Sequence, residues 1–187
     1  MGALPQDLTE RLRRWGSGDG AVLNDIVAAA YNELHAIAAA YLRRENRLHT
    51  LQATALVNEL YIRLARVRQA RFIDRQHFYT FTAHLMRLVL IDHARRSKAA
   101  KRHGGAAFIP LHDELAWIDA AGEDMIALDH ALDQLQAEDE RKARVIELRY
   151  FLGCTNEETA ELLGVSRPTV DRDLEFAKAW LYRRLRS

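Results

Sequence analysis

The sequence predicts an all-α protein: two small helical domains joined by a flexible linker. Apolar residues recur at spacings of three and four through most of the chain, which is helical periodicity. Strand-like alternation is absent, and only three prolines interrupt 187 residues. That periodicity is lost over residues 99–124 and then returns, separating a domain at 5–98 from one at 125–187.

Taken in order, a first short helix carries Leu8, Leu12 and Trp15 and stops at Gly16-Ser17-Gly18. A long helix follows from about Asp19 to Arg44, with a stripe that includes Val22, Ile26, Leu34, Ile37 and Tyr41. A third runs from about Ala53 to Val67, with Leu56, Val57, Leu60, Tyr61 and Leu64 inward. A fourth covers about Arg75 to Lys98 and uses Phe78, Phe81, Leu85, Leu88, Val89 and Ile91. The segment 99–124 holds a glycine pair, Pro110 and mixed small residues, and reads as a linker with a short helical turn near Glu114–Ile118. From about Asp124 the pattern resumes. Met125, Leu128, Leu132 and Leu135 make one face, and Val145, Ile146, Leu148 and Tyr150 another.

Residues 155–176, TNEETAELLGVSRPTVDRDLEF, then carry a helix-turn-helix spacing. Thr155 and Glu158 have the spacing of a capping box. Ala160 is small where two helices pack closely, and Gly164 supplies a permissive turn. Ser166 can cap the second helix, with Pro168 in its first turn. Leu162, Leu163, Val165 and Val170 are spaced to share one core. This motif points to nucleic acid.

Composition bounds the rest. Net charge is only +1, so DNA affinity must come from local basic patches. The single cysteine, Cys154, allows no internal disulfide, suits a reducing cytoplasm and reads as an apolar filler. The N-terminus lacks the apolar run of a signal peptide, and no stretch approaches the roughly 20 apolar residues that span a bilayer. A cytoplasmic protein without membrane attachment is expected.

Arg95, Arg96, Lys98, Lys101 and Arg102 form a basic run at the end of the fourth helix, suited to phosphate. Upstream, Arg63, Arg66, Arg68, Arg71 and Arg75 are interleaved with Phe72, Phe78, Tyr79 and Phe81. Cations that track phosphates beside rings that stack on bases suit unpaired DNA. Phe78 and Phe81 read as core; Phe72 divides between core and an exposed role.

The pattern over residues 17–185 resembles the extracytoplasmic-function sigma factors of bacterial RNA polymerase, within the sigma-70 family. GDGAVLNDIVAAAYNELHAIAAAYL, TALVNELYIRL, FYTFTAHLMRLVLIDHARR and the segment from LDQLQAEDERKARVIELRYF through AKAWLYRRL carry it, in that order. The resemblance implies that 5–98 is a sigma region 2 helical bundle and 125–187 a sigma region 4 helix-turn-helix domain. It implies that Leu56, Asn58, Glu59 and Arg63 dock on the polymerase beta-prime coiled coil. It further implies that Arg68, Arg71, Phe72 and Arg75 serve the −10 element and its flipped base, and that Arg95, Arg96 and Lys98 hold duplex phosphates. Arg167, Thr169, Arg172 and Asp173 would face the −35 element, where Arg grips guanine edges and Asp accepts from cytosine. Lys178, Arg183 and Arg184 divide between phosphate and solvent. Asp171 stands where a subgroup often carries Lys. The implied partners are core polymerase, through its beta-prime coiled coil and beta flap, and promoter DNA. Control by an anti-sigma factor or a regulatory kinase is left open.

The resemblance implies neither enzymatic activity nor a cofactor or metal. A metal enzyme built on His77, His84, Asp92 and His93 lacks an HExxH-type or Cys/His signature. The competing expectation is a helix-turn-helix regulator that binds an operator without polymerase, usually as a dimer.

Overall fold

The computed structural model describes Arg14 and residues 49–66, 74–101 and 125–186. Apart from Arg14, the two helices expected before residue 49 lie outside the described residues, as do the loop at 67–73 and the segment 102–124. The described elements are α1 (His49–Arg66), α2 (Arg75–Lys101), α3 (Met125–Glu138), α4 (Glu140–Ile146), a π-helical turn (Glu147–Phe151), α5 (Asn156–Leu163) and α6 (Arg167–Leu185). No strand occurs among them, and the fold is all-α as expected.

The chain divides into two compact units, residues 1–86 and 87–187, and the division falls within α2. In the first unit, α1 turns Leu56, Val57, Leu60 and Leu64 inward at the expected spacing of one helical stripe. α2 is started by Asp74, whose Oδ1 accepts from the His77 backbone N–H at 2.7 Å. Its first turns bury Phe78 and Tyr79, whose rings meet edge to face at 5.5 Å between centroids. Phe81 is half-buried. α2 runs three residues into the expected linker, because Ala99 and Ala100 favour helix and the glycine pair comes only at 104–105.

In the second unit α3 packs on α4 and α6, α4 also packs on α6, and α5 packs on α6. Met125, Leu128, Leu132, Leu135, Val145, Ile146, Leu148 and Tyr150 are all buried, as their periodicity predicts. The helical run that carries these two faces is broken at Asp139. Its backbone is extended (φ −152°, ψ 93°), and its side chain accepts from the Lys142 N–H, so a new helix starts there. After α4 the backbone widens into the π-turn, closed by Leu152 N–H to Glu147 O at 3.2 Å. Cys154 is buried.

One buried group was not expected. Arg87, on α2, is 0% exposed. Its Nη2 donates to Asp129 Oδ1 and to the Asp129 carbonyl, both at 2.6 Å, and its Nη1 to Glu147 Oε1 at 3.1 Å. Nη2 also reaches Asp133 Oδ1 at 2.6 Å. Burial alone pulls the pKa of Arg87 down, but Glu147, Asp133 and Asp129 outweigh it and hold the guanidinium above its ordinary value.

Candidate nucleic-acid interface

The helix-turn-helix is assembled by local bonds. Thr155 and Glu158 form the capping box: the Thr155 hydroxyl accepts from Glu158 N–H at 3.2 Å, and Glu158 Oε2 accepts from Thr155 N–H at 2.7 Å. α5 ends at Gly164, whose φ of 64° and ψ of 32° are left-handed. A Cβ there would meet no heavy atom within 4 Å, so the demand for glycine is conformational, not steric. Val165 N–H returns to Ala160 O at 3.0 Å, and Ala160 is buried against this turn. Ser166 then caps α6 by accepting from Thr169 N–H at 3.3 Å, with Pro168 in the first turn.

α6 buries Val170, Leu174, Ala177, Leu181 and Leu185, which sets its opposite side toward solvent. Arg167 and Arg172 lie on the exposed part of the helix and Thr169 is half-exposed. The Arg167 side chain is 62% exposed and pairs with Glu157 at 3.0 Å. Arg172 Nε donates to Pro168 O at 3.3 Å. Asp171 lies to the side, where Asn156 Nδ2 donates to it at 2.5 Å and Arg167 approaches to 3.8 Å.

Asp173 departs from the expectation. It is 5% exposed, and Arg141 grips both its oxygens, at 2.7 and 3.2 Å. Its position three residues after Val170 turns it toward α4, so a cytosine could not reach it without breaking its pair with the exposed Arg141. That bond in turn raises the Arg141 pKa.

The other candidate residues separate by exposure. Asn58 is exposed; Glu59 and Arg63 form an i,i+4 pair at 3.2 Å on the partly open side of α1. Leu56 is 3% exposed and belongs to the core, not to an outer face. Arg75 sits over the Tyr79 ring at 5.8 Å. Arg95 and Arg96 are exposed, with Arg95 3.5 Å from both Asp92 and Asp129. Arg68, Arg71 and Phe72 lie outside the described residues, as does the Lys98 side chain. Of the undecided cations, Lys178 lies over the Tyr150 ring at 5.4 Å, Arg184 donates to Gln134 at 2.5 Å, and Arg183 is exposed.

Among the described residues no helix is long and apolar enough to cross a membrane, and no cluster of metal-ligating side chains occurs. The four residues of the metal-enzyme expectation are all on α2: His77 is exposed, and His84, Asp92 and His93 are half-buried.

No curated protein gives a significant match to this chain. A family model described as ECF sigma factor matches residues 5–187, across the capped helix-turn-helix and the helices before it. With a match of that extent, the chain belongs to the ECF sigma factor family.

Proposed function

We propose that this sigma factor directs core RNA polymerase to specific promoters by dividing the labour between its two ends. Residues 5–98 would serve core and the −10 element, residues 125–187 the −35 element, and 99–124 the connection. The observation that carries this reading is the exposed N-terminal face of α6, which presents Arg167, Thr169 and Arg172 beside a capped turn. A helix of this kind enters the major groove with its first turns against base edges. Arg172 suits bidentate contact with guanine, and Arg167 reaches either phosphate or base. Asp173 has no place in this set, because Arg141 occupies it.

On α1 the exposed Asn58 and the Glu59–Arg63 pair would form the polar docking surface for the beta-prime coiled coil, with Leu56 fixing the helix from beneath. The exposed Arg95 and Arg96 would neutralise phosphates beside the melted segment. The test is co-elution with core polymerase. The wild-type chain should form a stable complex, and Glu59→Lys should weaken it while leaving the helical content unchanged. A chain that binds promoter DNA tightly alone and never associates with core would be an operator-binding regulator instead.

A further inference from the structure

Phe176 is a large apolar side chain on a helix that already has a complete core. It is 53% exposed, while its neighbours Leu174 and Ala177 are buried. It follows Arg172 by one turn and Thr169 by two, so the three share a side of α6. The ring is held from the α4 side. Lys142 Nζ sits 4.8 Å from the ring centroid. That ammonium is itself bonded to Asp139, the cap of α4, and lies 4.0 Å from Asp173 Oδ1. The ring is therefore backed by a fixed cation and open to solvent elsewhere.

The surroundings favour nucleic acid as the occupant. Exposed Arg172 and Arg183 lie on the same side of the helix, and Arg141 and Lys142 flank it from α4. Of the nearby acids, Asp139 and Asp173 are engaged by Lys142 and Arg141, and Glu140 by Arg144 at 2.5 Å; Glu175 remains an exposed acid beside the ring. With Lys142 and Arg141 engaged by those acids, Arg172 and Arg183 beside the ring complement phosphates around one apolar feature, and in the major groove that feature is the C5-methyl of thymine.

We infer that Phe176 reads a thymine methyl in the −35 element, with Lys142 holding the ring in place; this rests on the −35 role assigned to α6. Four residues of helix advance about 6 Å, so the thymine lies roughly two base pairs from the pair held by Arg172.

The test uses the full chain with core polymerase and a promoter library randomised over the −35 region. Wild type should enrich thymine at one position, and Phe176→Ala should lose that preference alone, with an unchanged unfolding midpoint. Replacing that thymine by uracil removes only the methyl; it should weaken wild-type binding about four-fold and leave Phe176→Ala indifferent. Lys142→Met should reduce the same preference without moving any other. An unchanged thymine preference in Phe176→Ala, or wild type indifferent to uracil, overturns the inference. Phe176→Ala that lowers core affinity and keeps every base preference makes the ring a polymerase contact and also overturns it. A wild-type library with no −35 preference at all removes the −35 reading itself, and the inference with it.

Discussion

Arg87 and Arg172 are both cations on long helices of a DNA-binding chain, and they stand in opposite settings. Arg87 is enclosed by Asp129, Asp133 and Glu147. Arg172 is exposed, and its Nε donates to a carbonyl of its own helix. Basic composition alone would count them as equals. The number of acids in reach and the loss of water decide that Arg87 ties structure together while Arg172 remains available to a ligand.

Substitution should separate them. Arg87→Ala removes the fully buried cation that pairs with Asp129 and Glu147 and should cost about 3–5 kcal/mol of stability by urea unfolding. A cost near zero would mean that the acid cluster does not depend on Arg87. Arg172→Ala should leave the unfolding midpoint unchanged, cost roughly 1–3 kcal/mol of promoter affinity and relax preference at one base pair. Equal weakening on every sequence would show a backbone contact rather than base readout.

Asp139 tests the scaffold beside the reading face. Asp139→Ala removes the α4 cap and should lower stability by about 1 kcal/mol. The hydrogen bond from Lys142 is the main reason the Asp139 pKa is held below the ordinary carboxylate range. A depressed folded-state pKa adds stability that is full above the unfolded value and is lost as pH falls through the folded one. The stability gap between wild type and Asp139→Ala should therefore narrow on acidification; a gap constant with pH would remove the ion pair from the account. The smallest effect is expected at Asp171. Asp171→Lys ends its contacts with Asn156 and Arg167, and should steepen the salt dependence of DNA binding by about one phosphate contact. Lower affinity for the preferred promoter alone would show that Asp171 reads a base.

The helix-turn-helix was legible because its determinants are local. The partners Thr155 with Glu158, and Ser166 with Thr169, lie three residues apart, and Gly164 is needed for its own dihedral angles. The Arg87 cluster was not legible, because its partners lie 42, 46 and 60 residues away and no local pattern announces them. The pairing of Asp173 with Arg141 was not legible for the same reason. Helical spacing three residues after Val170 turns it inward, but the Arg141 that pairs with it there lies 32 residues earlier. Leu56 suits both the inward stripe and the docking face in sequence, and its side chain is buried with the stripe. Phe176 could have been found by stepping four residues from Arg172, but its backing by Lys142 could not.

The central claim is that this chain confers promoter specificity on core polymerase, and run-off transcription on a genomic promoter library tests it most directly. Core with the wild-type chain should start at a defined set of promoters sharing −10 and −35 elements, without ATP hydrolysis, and core alone should not. Transcription that is the same with and without the chain would contradict the account.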